Sequence, residues 1–145
     1  IDKSIEYFDN AIELEQDPIQ KSEYCYTAAQ VLFSDKKLSK AKQYALNSIK
    51  SNGENGKPYM LIAQMYASSP NWSDEAALNK CTFFAVIDKL QKAKSVDPSC
   101  AEEADKLIRT YAGYTPKDED LFFIGIKKGD AVTIGGWIGE TTTVR

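Results

Sequence analysis

A pattern of small and apolar residues recurs in this chain at a spacing of 34 residues. The first copy consists of Cys25, Ala28, Ala29 and Leu32, and the second of Tyr59, Ile62, Ala63 and Tyr66. A repeat of this length is typical of a helix–turn–helix unit, which stacks on its neighbours because it cannot bury its apolar face alone. The recurrence predicts an all-α stack of antiparallel helix pairs with about six helices.

Local helix signals agree with this spacing. Two Asp-Pro dipeptides, Asp17-Pro18 and Asp97-Pro98, end the helices that precede them, and Pro58 suits the first turn of a helix. Ser73 is a good N-cap for a long helix. Helical periodicity predicts helices over residues 1–15, 19–34, 38–51, 58–68, from just after Ser73 to Ser95, and 101–111. We therefore predict a helical repeat region over 1–115.

Residues 116–145 are predicted to form a glycine-rich cap or tail. The alternating run 131–134, the pair Gly135-Gly136 and Trp137-Ile138 predict a short β-hairpin, with 141–144 as a further strand. Because an isolated hairpin is marginal in water, it must pack on the helices. The predicted anchors are Phe122, Phe123, Ile124 and Trp137. The acidic run 118–120 is predicted to be a charged linker.

About 110 central residues resemble the tetratricopeptide repeat family. The small residues expected where helices cross are Ala29 and Ala63 in first helices, and Ala11, Ala41 and Ala93 in second helices. The segment 92–98 is similar to the closing stretch of a family repeat. This sequence departs from the pattern at Gly53, where a proline is expected, at Ser48, where an alanine is expected, and in an insertion of about 11 residues. The resemblance implies a TPR-like α-solenoid that acts as a non-enzymatic protein–protein interaction scaffold.

The same resemblance implies a concave groove lined by the first helix of each pair. Carried over by repeat phase, the peptide-binding residues are Glu23, Tyr26, Gln30, Phe33, Lys57, Met60, Gln64, Glu102, Asp105 and Arg109. The clamp that some family members use for chaperone tails is disfavoured, because Leu61 stands where a basic residue is needed. The mixed lining suits an extended or helical peptide with apolar anchors. For Tyr26 and Phe33, packing against the neighbouring repeat is an equal alternative.

Composition removes several classes of chemistry. The chain has no histidine, which is the commonest general base and metal ligand. Cys25, Cys81 and Cys100 lack the spacing of a zinc site and are predicted to be buried free thiols. A net charge of −3 without interleaved basic and aromatic residues argues against nucleic acid, and no apolar run reaches the length of a membrane span. We predict no enzyme activity, no cofactor and no metal; the partner is a protein or peptide.

Both ends of the chain suggest further expectations. The chain opens at Ile1 inside an evident helix, which we interpret as the second half of a repeat whose first half is missing. Its stripe of Ile5, Phe8 and Ile12 would then be uncovered and would support self-association. At the other end, residues 135–143 look like the ending of some bacterial exported tetratricopeptide proteins of unknown role, which favours the periplasm.

Two alternative functions remain open from the sequence. One is a structural self-assembly protein of the cell envelope. The other is a small ligand-binding or enzymatic site in the glycine-rich tail, around Trp137.

Overall fold

The computed structural model describes residues 1–145, and 67% of them are helical. The α-helices are α1 (Asp2–Leu14), α2 (Pro18–Ser34), α3 (Leu38–Ser51), α4 (Lys57–Ser68), α5 (Ala76–Lys80), α6 (Thr82–Val96), α7 (Ala101–Ala112) and α8 (Asp118–Phe123). A 3-10 turn, Pro98–Cys100, precedes α7, and two short strands follow α8: β1 (Ala131–Thr133) and β2 (Thr141–Thr143). The predicted all-α fold with a short C-terminal β cap is confirmed.

Consecutive long helices pack as antiparallel pairs. Helix α2 packs on α3, α4 on α6, and α6 on α7. Ser22 near the start of α2 contacts Ser48 near the end of α3, where each hydroxyl donates to the other residue's carbonyl oxygen at 2.7 and 2.8 Å. At the start of α4, the amide of Gly56 donates to Asp97 just beyond α6. These contacts join opposite ends of paired helices, which defines the antiparallel order.

The residues of the 34-residue recurrence form the centre of the core. All four members of the first copy are buried, and in the second copy Ile62, Ala63 and Tyr66 are buried while Tyr59 is half-buried. The recurrence extends to the helix crossings, because Gly56 lies 34 residues after Ser22 and is also buried. A Cβ atom at Gly56 would stand 2.9 Å from the carbonyl oxygen of Ala93. Small residues therefore let the two helix pairs approach closely.

The predicted long helix after Ser73 is wrong, since two helices, α5 and α6, replace it. The turn at Cys81 separates them, and its amide bonds to the carbonyl of Leu78 rather than one residue further back. Neighbouring side chains hold this break: Asn79 accepts from the amides of Trp72 and Ser73. Ser73 does not cap the helix; its hydroxyl accepts from the amide of Glu75 in the preceding loop.

The predicted hairpin around Gly135-Gly136 is also wrong in its second arm. Strand β1 pairs antiparallel with β2, and Val132 stands opposite Thr142. The glycine pair lies in the loop between the strands for two separate reasons. Gly136 has a φ of 68°, which favours glycine, and a Cβ atom at Gly135 would stand 2.8 Å from the ring of Trp72.

Helix α8 begins where a charged linker was predicted. Three acidic residues, 118–120, occupy its first turn, where they complement the helix dipole, and Leu121 is buried. The expected anchors Phe122 and Phe123 are wrong, because they are 75% and 87% exposed. Ile124 is half-buried against the core, as is Trp137, which packs edge-on against Tyr66 at 5.4 Å between ring centroids.

The expectation of an uncovered stripe on the first helix is wrong as well. Ile5 belongs to the hydrophobic core, and Phe8 packs against it. Helix α1 contacts α2, and the hydroxyl of Tyr44 on α3 donates to Asp9. The exposed apolar side chains of α1 are Tyr7 and Leu14 on its outer side. The stripe predicted to pair with another molecule instead faces the body of this one.

Candidate functional site: a groove across three helices

A groove of about 520 Å³ crosses helices α2, α4 and α7. These helices run in the same direction, because each is antiparallel to the helix that lies between it and the next. Eleven residues line the groove: Tyr26, Gln30, Lys57, Met60, Leu61, Ala63, Gln64, Leu90, Glu103, Leu107 and Tyr111. Leu61, Ala63 and Leu90 are buried and form an apolar floor, whereas the polar residues stand around it.

The structure brings most of the sequence-predicted residues of α2 and α4 together here. Tyr26, Gln30, Lys57, Met60 and Gln64 line the groove. Phe33 lies in an adjoining recess of about 260 Å³, whose walls also include Gln30 and Gln64. Glu23 is an exposed residue of α2 outside the lining.

The residues predicted on α7 are wrong as groove residues. Asp105 instead forms an ion pair with Lys94 of α6 at 2.8 Å, and Glu102 and Arg109 are exposed outside the lining. Counting across the insertion, and across the 3-10 turn before α7, shifted the register by one or two residues. The residues that do face the groove are Glu103, Leu107 and Tyr111.

A local signal could have identified this face of α7. Glu103, Leu107 and Tyr111 follow one another at intervals of four residues, which places them on one side of a helix. Leu107 and Tyr111 also pack against the hydrophobic core. The ring of Tyr111 stacks on Phe83 at 5.8 Å between centroids, so this edge of the groove is held by α6.

The polar side chains of the groove have free hydrogen-bonding capacity. The amides of Gln30 and Gln64 bond to no protein group, and Lys57 and Glu103 take part in no ion pair. Burial raises the pKa of the Tyr26 phenol, and the nearby Cys100 and Glu103 act in the same direction. Tyr26 therefore stays protonated at neutral pH, as a hydroxyl that can donate or accept.

A second polar cluster lies on another face of the same helices and has a different character. Lys42 donates to the carbonyl oxygen of Ile138 at 2.7 Å, and Lys89 pairs with Glu140 at 2.6 Å. Asp88 accepts from Thr142 at 2.6 Å and pairs with Arg145. Here the charged groups of the helices are already paired with the tail.

Tyr66 lies at the centre of this tail contact. Its ring is fully buried between Trp137 and the ammonium of Lys42, which lies 5.1 Å from the ring centroid. Burial raises the pKa of its phenol above the usual range, and the charge of Glu140 adds to the effect. Burial also lowers the pKa of Lys42. These ties position the tail and leave the groove open.

Comparisons with protein-family models, with curated proteins and with solved structures each find no match to this chain. No helix has both the length and the apolar character that a membrane crossing requires.

Proposed function

We propose that this protein is a non-enzymatic interaction module of the TPR-like kind, which binds a peptide segment of a partner protein in the groove. The observation that carries the proposal is the contrast between the two polar faces. Around the tail, Lys42, Lys89 and Asp88 are paired within the protein. In the groove, Gln30 and Gln64 stand unpaired around an apolar floor. Such a combination of apolar contact and convergent polar groups is typical of a binding site.

The shape of the groove supports a chain segment as the ligand. It is open along its length and crosses three helices rather than closing over a small molecule. The partly buried Met60 and Leu107 offer apolar contact on either side of the floor. A peptide can place apolar side chains there while its main chain remains within reach of the glutamines.

Selection from a display library of linear 12-residue peptides on the whole protein tests the proposal. The affinity of a selected peptide is then measured by isothermal titration calorimetry for Gln64→Ala and Gln91→Ala. Gln91 is an exposed glutamine of α6 outside the groove, so it is the matched control. Loss of one hydrogen bond predicts about a three- to tenfold weaker affinity for Gln64→Ala and no change for Gln91→Ala. Equal effects of both variants, or no selected peptide, would contradict the proposal.

Self-association is a second candidate that one observation favours. Tyr7 and Leu14 are 66% and 81% exposed, and their spacing of seven residues places them on one side of α1. Light scattering over a range of concentrations tests it. The double variant Tyr7→Glu, Leu14→Glu should remain monomeric at concentrations where the unmodified chain associates. A concentration-independent monomer in both proteins would exclude this second function.

A further inference from the structure

Each helix of the groove presents its lining residues in the same order along its axis. On α4, Lys57 is followed by Met60 and Leu61 and then by Gln64. On α7, Glu103 is followed by Leu107 and then by Tyr111. Because α4 and α7 run in the same direction, these residues form rows across the groove: a charged row, an apolar row and a hydrogen-bonding row.

The hydrogen-bonding row extends to α2. Gln30 lies 34 residues before Gln64, so the two amides occupy equivalent positions in successive repeats. A primary amide offers both a donor and an acceptor, and the peptide main chain offers the same pair in every residue. Two equivalent amides on neighbouring parallel helices can therefore bond to an extended main chain that crosses α2 and α4, whatever its side chains.

The charged row supplies selectivity. Lys57 and Glu103 line the same groove, yet they form no ion pair with each other or with other residues. Each charge is thus available to a ligand, and their order across the groove is fixed by α4 and α7. A ligand with an acidic side chain over α4 and a basic side chain over α7 complements both.

From these rows we infer that the groove takes an extended peptide with an acidic and a basic side chain on the same edge, placed against Lys57 and Glu103, and an apolar side chain between Met60 and Leu107. The inference rests on the proposed function and states the chemistry of the partner segment. The main chain of the peptide bonds to Gln30 and Gln64, and the apolar side chain covers the floor.

A positional-scanning library of fluorescein-labelled decapeptides, measured by fluorescence polarisation on the whole protein, tests the inference. We expect Asp or Glu to be preferred at one position and Lys or Arg at another. Lys57→Gln should reduce the acidic preference and Glu103→Gln the basic preference, each by about three- to fivefold as for a partly exposed ion pair. Glu102→Gln is the matched control, since Glu102 is adjacent and exposed but outside the groove.

A charge-reversal experiment gives the inference a gain of affinity to detect. The double variant Lys57→Glu, Glu103→Lys should prefer the best decapeptide with its two charged residues exchanged. Methylation of the peptide nitrogens should weaken binding to the unmodified protein but have little effect on the Gln30→Ala, Gln64→Ala variant. Binding that is sensitive to Gln64→Ala but indifferent to the charge changes would overturn the inference and leave the proposed function standing. If no decapeptide binds, both fail.

Discussion

Gly56 provides a sharp test of how the helix pairs are packed. It is buried at the start of α4, with a φ of −77° that any residue can adopt. Replacement by alanine at such a position would ordinarily stabilise a protein by about 0.4–1 kcal/mol, because the unfolded chain becomes less flexible. Here the new Cβ atom would lie 2.9 Å from Ala93 O, Asp97 Cβ and Cys100 Sγ. Two of these three atoms belong to backbone or to a Cβ, so they cannot swing away.

The steric term should therefore exceed the entropic one. Overpacking of this kind costs about 1–3 kcal/mol, so Gly56→Ala should lower the free energy of unfolding by about 1–2 kcal/mol after the entropic gain. For a chain of this size that corresponds to a fall in Tm of about 4 °C per kcal/mol. Urea unfolding followed by circular dichroism measures the first quantity and thermal unfolding the second.

Gly53→Ala is the matched control. Gly53 is exposed, and its added Cβ atom would meet only the carbonyl oxygen of Ile49, at an ordinary 3.7 Å. We expect this variant to be as stable as the original chain or slightly more stable. If Gly56→Ala were also neutral or stabilising, α4 and α6 would not pack as closely as described, and the reasoning from the crossing would be refuted.

The same substitution has a second readout in the acid range. Hydrogen bonds from Ser99 and from the amide of Gly56 lower the pKa of Asp97 from 3.8 to about 2. A lowered folded-state pKa contributes stability that is present above pH 3.8 and is lost as the pH falls towards 2. If alanine at position 56 displaces the amide, the pKa of Asp97 should rise in a carboxyl NMR titration. Gly53→Ala should leave it unchanged.

Four further predictions follow from the packing and the titrating groups. Deleting 116–145 should lower Tm, because the tail buries Tyr66 and other core residues. Ser22→Ala should lower the free energy of unfolding by about 0.5–1.5 kcal/mol, the contribution of one hydrogen bond, whereas Ser48→Leu should cost more, about 1–3 kcal/mol, by overpacking the crossing. Burial and the bond to Asp9 raise the pKa of Tyr44 from 10.0 to about 12, so stability present below pH 10 should decline from pH 10 to 12, and less so in Tyr44→Phe. Burial raises the pKa of Cys81 from 9.0 to about 11, and Cys25 and Cys100 are also buried with raised pKa values, so Ellman's reagent should label the native protein slowly at pH 8 and all three thiols rapidly in guanidinium.

Each of these has a result that contradicts it. A truncated chain with an unchanged Tm would show that the tail does not stabilise the helices. Equal losses for Ser22→Ala and the exposed Ser39→Ala would deny a role to the buried hydroxyl pair. Identical alkaline profiles for Tyr44→Phe and the original chain would contradict the pKa argument. Rapid native labelling of even one thiol would contradict the burial of the cysteines.

The sequence predicted the groove where the repeat is uninterrupted. Tyr26, Gln30, Met60 and Gln64 are related by an unbroken spacing of 34 residues, so positions on α2 transfer to α4 without error. The register fails at α7, because an insertion and a 3-10 turn intervene and rotate the helix about its axis. A repeat phase carries positional information only while the number of residues per unit is constant.

The tail shows what local patterns cannot supply. Phe122 and Phe123 are apolar and were expected inside, but burial depends on which side of α8 meets the body, and that side belongs to Leu121. The glycine pair resembled a two-residue turn, whereas Gly135 is required by the ring of Trp72, a residue distant in sequence. Contacts between distant segments decided both cases.

The ties between the tail and the helices also affect how the chain can fold. In a repeat array each unit contacts only its neighbours, so ends can unravel separately and folding can begin anywhere. Here Lys42 bonds to a residue 96 positions away, Trp137 to one 68 positions away and Thr142 to one 54 positions away. Long-range contacts of this kind slow folding, because a large loop must close before they form. They also join the third helix to the last strand, so that the middle of the array and its end should exchange amide hydrogens as one cooperative unit.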